Sequence, residues 1–426
     1  MAGVAVRLLS GFLVTAALCG SGTVMADEQD AHPLPRASSQ DSAPGKADVS
    51  PAMQRLWTVA MRNVRNGDYR TALPQFERLV SAEPDETQFR LELARTLFLI
   101  GVDDRAQYHF NLALGDSTLS DADVALARRY LDQIAARSAW SGQFSLAIVP
   151  ESNPAQRPSA ETVSIGDLSF TLSPDARARS GTGVSLDGRL RWSPRLSRDW
   201  RGRLGVSGRH EAFRESAFND SSAKVIAGAD LLADRRSRIG LALTYRQRWI
   251  AGEPFSYGPG VEMTAARRLS QATRGSARLS VSDLHHDNLT RRDGLRTFAS
   301  LGVEHAVTQR LVANASVFAK RANAQAASEA YREIGIQVGG RYGFRGGLLT
   351  GLQTWVVDRQ NDAEERFFLD ARENRRWGAT VSVSHRQMAW KGFAPELSLT
   401  YETRRSNITL YDYENVGLSL GVTRDF

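Results

Sequence analysis

The sequence predicts a mainly β protein: an antiparallel transmembrane β-barrel of about 14 strands over residues 140–426, preceded by a small all-α domain. Three observations carry this. From about Trp140 onward, apolar and polar residues alternate with period two. Val416, Leu418, Leu420 and Val422 interleave with Gly417, Ser419, Gly421 and Thr423, and Ile239, Leu241, Leu243 and Tyr245 with Arg238, Gly240, Thr244 and Arg246. The non-apolar face is heavily charged, with Arg189, Arg191, Arg201, Arg203, Arg209, Arg246 and Arg278 on it. A soluble sandwich would bury the apolar face in a core, whereas a transmembrane barrel shows it to lipid and keeps a polar lumen. Finally, many stretches approach the roughly 9–11 residues that cross a bilayer, and their connections alternate short and long.

The elements follow in order. Residues 1–26 read as a secretory signal: Arg7, an apolar run from Leu8 to about Leu18, then Val24-Met25-Ala26 as a cleavage site. A lipoprotein signal ending at Cys19 is the competing reading, but Leu18 stands where a small residue should. Cys19 is the only cysteine, so cleavage after Ala26 leaves a chain without disulfides or thiolate metal sites. Residues 27–50, rich in Pro, Ser, Ala and Asp, read as a disordered linker.

Over residues 51–137 the period becomes helical. Gly67, Tyr69, Ala72 and Phe76 mark one helix–turn–helix unit, and a shift of 34 residues finds Gly101, Ala106 and Phe110. That is the tetratricopeptide (TPR) period, with a small residue where helices cross and an aromatic filling the gap. A final helix, Asp121 to Ala136, caps the stack. Phe76, Phe110 and Tyr69 are expected in the helix–helix core. Arg62, Asn63, Arg65, Arg90 and Arg95 are the candidates for a concave binding face.

Strand centres in the barrel fall near residues 146, 187, 205, 227, 243, 263, 279, 301, 315, 336, 352, 381, 399 and 419. The longer connections are expected at Asn153–Ser180, Glu211–Ser221, Ala251–Gly258, His285–Leu295, Arg321–Glu329, Arg359–Asn374 and Arg404–Leu410. A periplasmic N-terminal domain places these outside the cell. Phe426 then serves as a barrel-assembly signal read by the barrel-assembly machinery. Trp192, Trp200, Trp249, Trp377, Tyr411 and Tyr413 suit interfacial girdles in contact with outer-membrane lipids.

Chemistry is sparse. His285-His286-Asp287 is the one dense His/Asp cluster, but adjacent strand residues face opposite ways and make poor co-ligands. There is no P-loop, no G-x-S-x-G and no zinc motif. No catalytic residue, cofactor or metal is therefore expected. The formal charge of +7 is spread along the strands, which reads as a cationic lumen and not a nucleic-acid patch.

Signal, short TPR region and C-terminal barrel together resemble the Slam family (surface lipoprotein assembly modulators). The barrel opening Glu151-Ser152-Asn153-Pro154-Ala155 is similar to that family's "D-S-N-x-x-x-A" stretch. The closing segment Gly417–Phe426 is similar to its last strand. The resemblance implies an outer-membrane translocon. It would export surface lipoproteins or soluble carriers, several of them for haem or iron, with a periplasmic chaperone delivering the substrate. The helical region is shorter here than in the best-known members, which leaves the substrate type open. The main alternative is an anion-preferring solute channel with a periplasmic anchoring domain; an outer-membrane enzyme and an adhesin are weaker rivals.

Overall fold

Five helices come first: α1 (Pro51–Arg65), α2 (Tyr69–Ala82), α3 (Thr87–Leu99), α4 (Asp103–Ala113) and α5 (Asp121–Arg137). The computed structural model describes residues 50–425, apart from 116–118, 166–167, 235, 271, 309, 345–346, 386–387 and 391–392. The expected signal peptide, nearly all of the linker and Phe426 lie outside the described residues.

Local chemistry sets the helix ends. Ser50, Asp68 and Ser120 accept backbone N–H groups from Met53, Thr71 and Asp123, capping α1, α2 and α5. Gly67 and Gly101 sit at φ +78° and +82°, a left-handed conformation that costs glycine least. Each is followed by the same closing bond, Asp68 N–H to the Asn63 carbonyl and Val102 N–H to the Leu97 carbonyl, both at 2.9 Å. The two units are thus terminated identically, 34 residues apart. Ala72 and Ala106, and Phe76 and Phe110, occupy equivalent buried sites. Trp57 packs on Phe76 and Phe89, and Tyr130 of α5 stacks on Phe110 at 5.1 Å and meets Phe98 edge-on. Tyr69 is half-buried against this core.

The barrel strands are β1 (Trp140–Glu151), β4 (Gly181–Trp192), β5 (Trp200–Phe213), β6 (Asp220–Asp234), β7 (Ser237–Ile250), β8 (Glu253–Arg268) and β9 (Thr273–His286). They continue with β10 (Gly294–Ala306), β11 (Leu311–Ala322), β12 (Tyr331–Gly343), β13 (Leu348–Glu364), β14 (Ala371–His385), β15 (Ala394–Ser406) and β16 (Tyr413–Asp425). All pair antiparallel with their neighbours, and β16 returns to β1, so 14 strands close a ring. Every expected strand centre falls within one of them. A separate hairpin, β2 (Thr162–Ile165) with β3 (Leu168–Thr171), sits in the loop between β1 and β4. The outward face is apolar and exposed, for example at Ile148, Leu241, Leu243, Leu301, Ile334 and Leu420. Such a continuous apolar belt is what a bilayer covers.

Two expectations fail here. Ala251–Gly258 is not a loop: Ala251 and Gly252, at φ +54° and +84°, make a two-residue hairpin turn, and β8 starts at Glu253. Arg359–Asn374 is likewise mostly strand, since β13 runs to Glu364 and β14 starts at Ala371. In both places the strands outrun the apolar belt. Pro254, Pro259 and the polar run at 359–362 blur the alternation, while backbone pairing continues apart from local irregularities. The contrast between short and long connections is correspondingly weaker than expected, and residues 152–180 form the one long excursion. The girdle assignment also fails for Tyr411 and Tyr413. Both are buried, and the register turns Tyr413 into the lumen opposite Arg404.

Only Ser138 and Ala139 separate α5 from β1. At its other end, Asp121 lies 3.5 Å from Arg310, which precedes β11. In the ring, the β10–β11 junction lies opposite β1. Helix α5 therefore crosses one mouth of the barrel like a bar about 25 Å long. The helical module caps that end, called here the helix end; residues 152–180 mark the loop end.

Two outcomes are expected of the module. Phe76→Ala should cost it about 3–5 kcal/mol and melt the helices before the barrel, read at 222 nm in detergent. His109 is held down to about 4 by burial, reinforced by Arg90 and Arg105 and opposed by Glu77. The unfolded state therefore binds a proton that the folded module lacks between about pH 4 and the ordinary 6.5, so module stability rises with pH across that window. His109→Gln should flatten this rise, measured as Tm against pH.

Candidate functional site

The lumen is the candidate site, and strand parity decides what lines it. Leu204 and Val206 face lipid, so Arg201, Arg203, Gly205, Ser207 and Arg209 on β5 face inward. The register carries the same parity around the ring. All seven arginines named above lie on this inner face. Arg189 and Arg278 are exposed there, Arg191, Arg201, Arg209 and Arg246 are half-buried, and Arg203 is buried.

The structure gathers these arginines into separate groups. Toward the helix end, Asp230 of β6 is fully buried (0% exposed) between Arg191, which donates to it at 2.7 Å, and Arg203, which donates to its other oxygen. Arg203 also donates to Thr264 at 2.7 Å and lies 3.9 Å from Glu262, which Lys224 reaches at 2.8 Å. Gly240 is needed beside this group, because a Cβ there would collide with the Arg203 guanidinium and the Asp230 carboxylate. Toward the loop end, Arg209 pairs with Glu211 and lies 3.8 Å from Asp187. Arg246 lies next to the Arg248–Asp220 pair.

A second cluster, which sequence reasoning missed, fills the loop end across β12–β16. The Arg359 guanidinium stands 3.6 Å over the Tyr331 ring, Arg404 lies 4.5 Å over Tyr413, and Arg372 lies 4.1 Å over Tyr411. Tyr413 donates its hydroxyl to Glu402, and Arg376 lies 3.9 Å from that carboxylate. Gln156, from the long loop, also donates to Glu402, and Asn153 ties that loop to the Glu414 carbonyl at 3.1 Å. These side chains are buried against one another, not spread around an open channel. Arg372 also lies 3.5 Å from Glu365, so aromatic faces and carboxylates share the cationic charge. Inward parity was the one signal that could have found them.

By contrast, the wall from β15 through β16 to β1 is built mostly of small residues below this cluster, with Glu396 opposite Gly421 as a charged exception. Ser398, Thr400, Gly417, Ser419, Gly421, Ala147 and Ser145 line it by the same parity.

The other expected features carry no chemistry. His286 is buried with its Nδ1 3.0 Å from Asp293, while His285 faces the other way, near Asp283. Among the described residues no group of three or more His, Cys, Asp or Glu could hold a metal ion. In the module, Asn63 bonds Gln75 and Arg95 lies 3.5 Å from Glu92, whereas Arg62 and Arg65 are exposed.

Comparison with known proteins places this architecture. Residues 140–426, the whole barrel, match the family model described as "Surface lipoprotein assembly modifier". The chain belongs to that family. "Surface lipoprotein assembly modifier 1" of Neisseria meningitidis serogroup B is 24% identical over 372 residues, covering 85% of this chain and 74% of that protein. The protein of the same name from Haemophilus influenzae is 22% identical over 382 residues, covering 87% and 77%. Among solved structures, the outer membrane channel DcaP of Acinetobacter baumannii superposes with a TM-score of 0.39 at 11% identity, over 68% of this chain and 98% of that one. Family and barrel together set this chain in the outer membrane, in keeping with a transport or assembly protein.

The Asp230 group gives a direct test. Asp230→Leu removes the carboxylate that Arg191 and Arg203 share and should destabilise the barrel by about 3–5 kcal/mol, measured as a lower guanidinium midpoint in detergent. Arg189→Gln, at an exposed inner position, should shift that midpoint little.

Proposed function

We propose that this protein is an outer-membrane translocon that moves lipoproteins to the cell surface. The helix end lies in the periplasm and the loop end outside. The helical module takes an unfolded substrate, handed over by a periplasmic chaperone, and the barrel passes it outward. The exposed Arg189 and Arg278 give acidic or polar segments of the passing chain transient contacts without tight binding. The relatives' shared name supports lipoproteins as the substrate class. Among this chain's own features, the observation that carries the reading is a barrel barred at one mouth by α5 and packed with Arg, Tyr and Glu at the other. A solute channel needs a standing aqueous path; a translocon needs one only while substrate is present. No nucleotide-binding motif supplies energy, so substrate folding outside, concentration or a partner drives the step.

Reconstitution tests this. Proteoliposomes holding the full protein are offered a lipoprotein encoded nearby, together with a periplasmic chaperone, and protease protection is read. Protection that depends on this protein is the expected result. Removing residues 51–137 should abolish delivery while leaving the barrel folded. Absence of protection, combined with steady anion-selective currents in planar bilayers, would replace this reading with the solute channel.

A further inference from the structure

Thirteen of the 14 neighbouring strand pairs in the ring are joined to each other by a turn or loop; β1 and β16 are not. Their seam is held by non-covalent contacts alone. Its ladder runs from Gln143 opposite Asp425 to Ile148 opposite Leu420, stops, and resumes at Glu151 opposite Gly417. The cause of the interruption is Pro150. On β1 the Ser152 N–H points to β16, donating to the Val416 carbonyl at 2.9 Å. Two residues earlier, position 150 points the same way, and proline has no N–H to offer the Leu418 carbonyl. On the other side of β1 the pairing with β4 runs unbroken through Pro150.

Above this missing rung the seam is held by the Ser152 N–H on the Val416 carbonyl, by the Val416 N–H on the Ser152 hydroxyl, by the Asn153 side-chain amide on the Glu414 carbonyl, and by a side-chain clasp centred on Asn415. Asn415 accepts from the Asn153 N–H at 2.9 Å and from the Ser152 hydroxyl, and donates to Glu151 at 2.8 Å. Below it the lumen side carries Ala147, Ser419 and Gly421, so nothing bulky stands behind the seam, while Leu146, Ile148, Leu418 and Leu420 face lipid. Pro259 leaves a similar interruption between β8 and β9, but those strands are tied by the chain between Arg268 and Thr273. At β1 the neighbour in sequence is α5, so movement of the helical module acts directly on one edge of the seam.

We propose that the β1–β16 seam opens sideways, with Pro150 as the built-in weak rung and the Asn415 clasp as its latch, to let the acyl chains of a lipidated substrate leave the lumen into the bilayer. The proposal rests on the translocon reading. A polypeptide can leave through the loop end. Its acyl chains would otherwise have to cross a lumen lined by charge, and a lateral slot keeps them against hydrocarbon throughout.

Ser145 and Thr423 face each other across this seam at a non-hydrogen-bonded pair, the closer kind. Ser145→Cys with Thr423→Cys can therefore lock it in the full-length protein. Ala266→Cys with Ser276→Cys does the same across β8–β9 as the control. In proteoliposomes, oxidising the β1–β16 pair should abolish protease protection of a lipidated substrate, and reductant should restore it. The same substrate lacking its lipid-bearing cysteine should still be protected, and the β8–β9 lock should affect neither. A lock that leaves the lipidated substrate unaffected, or stops both forms equally, overturns the proposal. Should the cysteine pair fail to form its bond, Pro150→Val restores the N–H; it should slow the lipidated substrate alone, and an unchanged rate counts against the weak rung. The translocon reading itself fails separately, when the unlocked protein protects neither substrate.

Discussion

Closing the ring is the constraint from which the rest follows. In hydrocarbon no water is available to an unpaired backbone N–H or C=O, so a sheet must have no free edge. The return of β16 to β1 satisfies that demand around 14 strands. Once the ring is closed, strand parity has only two destinations. One parity meets lipid and must be apolar; the other meets the lumen and is free to be charged. The sequence places so much arginine on the second parity that the lumen then has to solve an electrostatic problem of its own.

It solves it unevenly. Near the helix end, Asp230 and Glu262 neutralise a cluster of cations with direct ion pairs. Near the loop end, ion pairs with Glu365 and Glu402 are joined by guanidinium groups lying over Tyr331, Tyr411 and Tyr413. Stacking of this kind is worth more when desolvated, which suits a packed plug.

Much of this was legible in the sequence because barrels write their inside and outside with period two. Every strand centre could be located from apolar residues such as Leu241 and Leu243, and the inward placement of Arg189 or Arg246 followed from their neighbours. What escaped was whatever depends on partners distant in sequence. Tyr413 reads as a girdle residue until Arg404 and Glu402 of the neighbouring strand are seen beside it on the lumen face. The Ala251-Gly252 turn escaped because Pro254 and Pro259 imitate a loop, although Pro254 still pairs with Trp249 beyond a bulge. The TPR period located α1–α5 readily, yet nothing local in α5 says that it crosses a barrel mouth. That placement follows from a two-residue joint at one end and a contact with Arg310 at the other.

The bar has a geometric consequence for anything that enters. By running from β1 to the β10–β11 side, α5 divides the circular opening into two crescents. One is bordered by β4–β10, with Arg191, Arg201 and Arg203 on its wall near the helix end; the other by β11–β16, where Gly417, Ser419 and Gly421 border the β16 side below the arginine–tyrosine cluster. On the translocon reading, a thread passing the first crescent would meet a positively charged wall, and a thread passing the other would meet mostly small residues leading to the β1–β16 junction. A substrate with an acidic polypeptide and a greasy anchor could straddle the helix, one part in each crescent, so that the two halves of an amphiphile are sorted before either reaches the membrane midplane.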